Sequence, residues 1–153
     1  MTYAEELDKV LGEWGNRVAD RIKSNLDTTG TTASGRTRES VEVVAENGEL
    51  TITGRQYFRS VEEGRPSGSV PYKFQDIIRK WMDDKGIAAN FGEKEWQKRN
   101  AAYLISQKIK EYGSRLYRNG GREDIYTDVI NEELPELAQQ ISVMVAETIS
   151  KAL

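Results

Sequence analysis

Histidine and cysteine are both absent from this 153-residue chain. Their absence removes the commonest general base, the commonest zinc ligands and the best thiol nucleophile. It also excludes disulfides, as is usual for proteins of a reducing compartment. The sequence further lacks a P-loop, a GxSxG motif and a GxGxxG motif. We therefore expect no catalytic residue, no cofactor and no enzymatic activity.

Carboxylates alone could still hold a metal ion. The densest candidates are the adjacent pairs Asp83–Asp84 and Glu132–Glu133. Neighbouring residues on a helix point about 100° apart and do not converge on one ion. Solvated helical faces are the favoured interpretation of both pairs, and no metal site is predicted.

Long apolar runs are also missing, since none reaches the roughly 20 residues that a membrane helix needs. The first ten residues, MTYAEELDKV, carry acids where a signal peptide carries basic residues followed by an apolar stretch. We expect a chain that stays in the cytoplasm where it is made and contacts no membrane. A composition of 37% hydrophobic and 31% charged residues predicts one globular domain over residues 1–153.

The first third of the chain has clear local patterns. Apolar residues recur at steps of three and four from Glu5 to Leu26, which predicts an amphipathic helix. The Thr- and Gly-rich segment Asp27 to Gly35 predicts a loop. From Ser40 to Gly54, β-branched residues lie on both sides of Asn47-Gly48, a pattern typical of a hairpin with a tight turn.

The remainder is mainly helical in pattern. Arg55 to Glu63 fits a helix or a strand, with a short helix preferred, and Gly64 to Pro71 is a loop. Further helices are predicted at about residues 74–86, 95–112 and 123–153, the last with a kink or break before Pro135. The predicted fold is α+β, with a small antiparallel sheet (the hairpin at about residues 40–54) flanked by an N-terminal helix and several C-terminal helices.

The apolar faces of these helices predict the core. Trp14 and Trp81 lie on such faces, and Leu104 is expected to point inward with Ala101, Ile105 and Ile109. Trp96 begins a helix among charged residues, so we expect it to be partly exposed and a candidate for contact with a partner subunit.

Several short motifs follow one another along the chain. Gly35-x-x-x-x-Ser40 precedes the hairpin, and an aromatic-x-x-x-Val-Glu-x-Gly-Arg segment spans Tyr57 to Arg65. After a proline-containing loop come Trp-x-x-x-Lys-Gly-Ile at Trp81 to Ile87 and a helix that stops at Gly113. In this order they resemble the head-tail joining and tail-completion (neck) proteins of lambda-like siphophages. Two features depart from that pattern: Thr37 stands where leucine is usual, and the aromatic segment after the glycine turn is reduced to Leu116 and Tyr117.

The resemblance implies a non-enzymatic structural protein of a tailed-phage virion, made in the host bacterial cytoplasm. It implies assembly of identical copies into a ring in the neck or tail. The implied partners are the tail tube or its terminator on one side and the head connector on the other. Glu62 and Arg65 could form a plain ion pair, and the resemblance suggests a positional role for them in the assembly.

Charge is unevenly distributed along the chain. Residues 108–122 carry five bases, Glu111 as the one acid, and two interleaved tyrosines, whereas residues 123–153 carry seven acids against Lys151. The basic stretch suits contact with a complementary subunit surface. Alternatively it could grip a nucleic-acid backbone, as in a small DNA-binding or regulatory module, for example of a toxin-antitoxin pair. A metal-dependent nuclease is a more distant alternative.

The candidate interface residues combine these observations. The loops at residues 27–35 and 64–71 have few apolar side chains, so we expect them to be mobile in the free subunit and ordered only in the ring. Charged residues border both loops. The candidates are Arg36, Arg38, Glu62, Arg65, Trp96, Arg115 and Arg118.

Overall fold

The computed structural model describes residues 1–31 and 34–153. The predicted α+β class is confirmed. In chain order the helices are α1 (Tyr3–Thr28), α2 (Arg36–Glu39), α3 (Ser60–Glu63), α4 (Phe74–Asp84), α5 (Glu95–Tyr112), α6 (Arg115–Arg118) and α7 (Thr127–Ala152), with a 3₁₀ turn at Ala88–Phe91. Strands β1 (Glu42–Glu46) and β2 (Glu49–Thr53) form one antiparallel pair.

The described residues group into two compact units. Unit 1 contains Met1–Thr29, Arg38–Arg55 and Glu123–Leu153, and unit 2 contains Gly30–Thr37 and Gln56–Arg122. Unit 1 therefore joins the first helix, the hairpin and the last helix, which are far apart in sequence. One domain over residues 1–153 stays a prediction.

Helix α1 is the centre of unit 1. It begins with a capping box in which the Thr2 hydroxyl accepts from the Glu5 amide and the Glu5 carboxylate accepts from the Thr2 amide. The residues it buries lie at steps of three and four, as predicted: Leu11, Trp14, Val18, Ile22 and Leu26. Helix α1 continues to Thr28, so the loop predicted from Asp27 begins two residues later; residues 32 and 33 of that loop lie outside the described part of the chain.

The predicted hairpin is confirmed and packs on α1. Asn47 and Gly48 both have positive φ, 54° and 76°, as the predicted two-residue turn requires. The hairpin comes close to α1 because position 15 is glycine. A Cβ there would lie 2.7 Å from Cγ1 of Val43 and 2.8 Å from Cδ1 of Leu50.

Helix α7 also packs on α1. The Trp14 indole N–H donates to the backbone oxygen of Glu133 at 2.9 Å, and the Asn25 amide donates to the backbone oxygen of Ile125 at 3.0 Å. Pro135 lies inside a continuous α7, so the helix does not break there; a kink before Pro135 stays a prediction. Contacts of Glu133 and Glu136 with α1, on either side of Pro135 in sequence, help to offset the missing backbone donor.

In unit 2, α4 and α5 enclose a core of Phe74, Ile78, Met82, Ala88 and Ala102. The prediction that Trp81 and Leu104 point inward is wrong, because they are 37% and 58% exposed. Each helix carries two adjacent apolar stripes, and only one of them faces the partner helix. The small side chain of Ala102 is fully buried at the contact between α4 and α5, whereas Leu104 lies outside this contact.

Candidate functional site

Two distant segments of unit 2 are joined by backbone hydrogen bonds. The Ser114 amide donates to the Arg65 oxygen at 2.8 Å, and the Arg122 amide donates to the Glu62 oxygen at 2.8 Å. The Ser114 hydroxyl accepts from the Arg65 amide at 3.0 Å, and the Gly68 amide donates to the Lys110 oxygen at 2.9 Å. We call residues 62–68 and 110–122 together the glycine joint.

Glycine is required where the two segments meet. Gly64 has φ 75° and ψ 177°, a combination that essentially only glycine adopts. A Cβ at this position would lie 2.4 Å from the backbone nitrogen of Tyr117. The Gly-Arg motif and the glycine that ends α5 therefore belong to one structural feature.

Arg65 and Glu62 support the joint from within. The Arg65 guanidinium lies over the rings of Tyr57 and Phe74, at 5.5 and 5.1 Å from their centroids. Glu62 is only 3% exposed. Of these two candidate interface residues, one is thus buried and the other is held between aromatic rings.

The loop at residues 64–71 has no helix or strand, as predicted. It is nevertheless anchored at Arg65 and Gly68 by the hydrogen bonds of the joint. These bonds are made within the chain itself, and mobility of the loop in the free subunit stays a prediction.

Exposed cations and tyrosines lie close together in sequence over residues 108–118, at the end of α5 and in α6. Lys108, Lys110, Arg115 and Arg118 are exposed, together with Tyr112 and Tyr117, and we call these six residues the basic surface. The Ser114 hydroxyl caps α6, the short helix that carries Arg115 and Arg118, by accepting from the Tyr117 amide at 3.3 Å.

The cations of the basic surface have no anionic partner among residues 1–31 and 34–153. Glu111, the one acid in this stretch, accepts a hydrogen bond from the Tyr112 hydroxyl, which raises the pKa of that tyrosine. The Glu111 carboxylate therefore bonds to the neutral hydroxyl of Tyr112. The net positive charge of the surface faces solvent.

The acidic C-terminal stretch behaves differently. Arg21 contacts Glu132 at 2.8 Å and Glu133 at 2.7 Å, and Arg17 contacts Glu133 at 3.4 Å and Glu136 at 3.3 Å. The hydrogen bond from Arg21, with the positive charges of both arginines, lowers the pKa of Glu133. These acids join α7 to α1 within unit 1.

A second acidic surface was missed by sequence reasoning. Exposed residues alternate with half-buried ones along both strands. The exposed side of the hairpin carries Glu42, Glu46 and Glu49, which we call the acidic hairpin face. They form no ion pair with any described residue. The two glutamates of EVVAE, four positions apart and so on one face of a strand, were the available signal, but only the strand register brings Glu46 opposite Glu49.

The other candidates do not join the basic surface. Trp96 is 64% exposed, as expected, but lies sixteen residues before Tyr112 on α5, about 24 Å along the helix axis. Arg36 is exposed and donates to the Ser34 hydroxyl at 3.1 Å. Arg38 belongs to unit 1 and pairs with Asp27 at 2.9 Å.

The carboxylate pairs considered for metal binding are engaged by cations. Asp83 lies 2.7 Å from Arg79, and Asp84 lies 3.2 Å from Lys80. Across the described ranges, no three acidic residues converge in a metal-binding arrangement. No described helix is long and apolar enough to cross a membrane.

Comparison with known proteins adds no relative. No family model, no curated protein and no solved structure matches the chain. The function must therefore be argued from the surfaces themselves.

Proposed function

We propose that the chain is a structural component of a tailed-phage virion that completes the tail or joins it to the head. It acts by association of copies into a ring, and its neighbours are the tail tube or tail terminator and the head connector. It is made in the host bacterial cytoplasm and functions in the virion. The order of the sequence motifs suggests this role.

The observation that carries the proposal is the basic surface. Exposed charges contribute little to folding stability, but they steer association and select a partner of complementary charge. Exposed tyrosines are enriched in protein interfaces. Four cations without an anionic partner among the described residues, next to two exposed tyrosines, suit a binding surface.

The contacts of the motif residues support the same role. Gly64 fits closely against Tyr117, and Arg65 is held by two rings and by Ser114. These motif residues therefore hold Tyr117 and the start of α6 in position.

Deletion of the gene from the phage or prophage that carries it tests the proposal. We expect electron microscopy to show filled heads and free tails that fail to join, and mass spectrometry to find the chain in intact virions. Complementation with the wild-type gene should restore joined particles. Intact, infectious virions without the chain would overturn the proposal.

The basic surface also favours a second candidate, a small DNA-binding or regulatory module. Cations and aromatic rings together can contact phosphates and stack on bases. Fluorescence anisotropy with duplex and single-stranded DNA over a salt series distinguishes the two. For a DNA-binding module, Arg115→Ala should weaken binding and reduce the salt slope by about one. For the structural protein we expect no binding at about 0.2 M salt, where phosphate contacts are largely screened.

A nuclease, the more distant alternative, has a direct assay. The purified chain should neither cut DNA nor hydrolyse nucleotides with Mg²⁺ or Mn²⁺. Turnover that disappears in Asp83→Ala or Glu133→Ala would contradict the structural assignment.

A further inference from the structure

We propose that the acidic hairpin face of one copy binds the basic surface of a neighbouring copy, so that copies associate head to tail. This inference deepens the ring assembly of the proposed function by naming the two surfaces that meet. It depends on charges that no residue of the described chain neutralises.

The first step concerns the hairpin. Glu46 lies directly opposite Glu49 in the β1–β2 register, and both side chains are exposed. Directly opposed side chains have Cβ atoms about 4.5–5.5 Å apart, and like charges at this spacing destabilise a sheet. A cation supplied from outside would remove that repulsion. Glu42 extends the negative charge along the same face of β1.

The second step concerns the spacing of the cations. Arg115 and Arg118 lie three residues apart on α6, which corresponds to a Cβ separation of about 5–6 Å. This spacing matches that of Glu46 and Glu49. The planar guanidinium group also suits two parallel hydrogen bonds to a carboxylate. Two arginines of one copy can therefore each pair with one glutamate of the next.

Apolar contacts fit the same arrangement. Val44 lies between Glu42 and Glu46 on the exposed face of β1 and is 47% exposed. Tyr117 lies between the two arginines in sequence and is 46% exposed. A valine flanked by acids and a tyrosine flanked by bases are complementary in both charge and polarity.

A second copy of this chain is the partner that these surfaces specify. Each copy carries one surface of each sign, and neither is neutralised by any residue that the structure describes. A contact between two different surfaces leaves one of each kind free, so association continues until a ring closes.

Charge-reversed variants test the contact. Sedimentation velocity would be run on the wild type, on Glu46→Lys/Glu49→Lys and on Arg115→Glu/Arg118→Glu, in about 50 mM and about 1 M NaCl. We expect the wild type to associate at low salt and to dissociate at high salt. Each variant alone should associate at least about tenfold more weakly. Circular dichroism and urea melts would verify that both variants fold.

An equimolar mixture of the two variants is the decisive sample. The lysines of one variant then face the glutamates of the other, and the remaining native surfaces also match. Association should return to within a few-fold of the wild type. A control, Asp20→Lys/Glu93→Lys, makes the same net charge change as the hairpin variant at exposed acids elsewhere and should associate like the wild type.

Three results would overturn the contact: a wild type that stays monomeric at low salt, variants that associate as well as the wild type, or a mixture that does not recover. The gene deletion described above is independent of all three. If deletion abolishes joined virions while the variants still associate, the contact is wrong and the virion role stands. If the mixture recovers but deletion has no effect on virions, the proposed function is wrong and the contact stands.

Discussion

Gly64→Ala should destabilise the chain far more than an ordinary loop substitution. The backbone conformation of Gly64, φ 75° and ψ 177°, costs about 1–3 kcal/mol for a residue with a side chain. The new Cβ would also lie 2.4 Å from the Tyr117 nitrogen and 2.8 Å from the Ser114 hydroxyl oxygen. Because Tyr117 contributes backbone, relief requires a main-chain shift, and overpacking of this kind costs about 1–3 kcal/mol.

The two contributions sum to about 2–6 kcal/mol, a large share of the roughly 5–15 kcal/mol that stabilise a typical domain. Gly86→Ala is the matched control, since Gly86 has a similar φ of 73° but no described atom within 4 Å of the place where a Cβ would lie. It should cost only about 1–2 kcal/mol from backbone strain.

Equilibrium urea unfolding of both variants, followed by circular dichroism, measures the difference. Hydrogen exchange adds a local readout, because the Ser114 and Arg122 amides of the joint should lose protection in Gly64→Ala and keep it in Gly86→Ala. If the two variants unfold within about 0.5 kcal/mol of each other, the close approach at Gly64 has no energetic weight and the joint is assigned wrongly.

Three further predictions concern the packing and the ion pairs. Gly15→Ala should destabilise by about 1–3 kcal/mol in urea melts because its Cβ meets the hairpin, whereas Gly12→Ala, with only an ordinary 3.6 Å contact, should be neutral or stabilising. Met82→Ala should cost about 2–5 kcal/mol, and Trp81→Ala clearly less because Trp81 is 37% exposed; the reverse order would favour the helix face predicted from the sequence. The lowered pKa of Glu133 stabilises the folded chain above the ordinary value of 4.5, and this stabilisation disappears as the pH falls through the lower folded-state pKa. Glu133→Gln should therefore flatten the acid side of a stability-pH curve, and an unchanged curve would exclude this contribution.

Local patterns predicted most of the secondary structure. The three- and four-residue spacing of α1 and the Asn47-Gly48 turn each depend on neighbours in sequence, and both were correct. The errors arose where a choice depends on a distant element. Both apolar stripes of α4 are compatible with a helix, and only the position of α5 decides that Ile78 is buried and Trp81 is not.

The charged surfaces also have features that local sequence predicts and features that only packing decides. Composition alone identified residues 108–122 as basic, and it also identified the acidic C-terminal stretch. It could not reveal that Glu133 is already paired with Arg17 and Arg21, over 100 residues away. It also did not reveal that Glu46 and Glu49 would form no ion pair with the residues that the structure describes.

The sequence by itself determined the α+β class, the hairpin turn and the charge of each segment, because these follow from the identity and local spacing of residues. Only the tertiary structure decided which charges remain available to a partner. An ion pair forms when two side chains come within about 4 Å, and for residues far apart in the chain that distance is set by packing. The same packing makes Gly64 and Gly15 necessary, since a glycine's role in a close approach depends on what lies beside it.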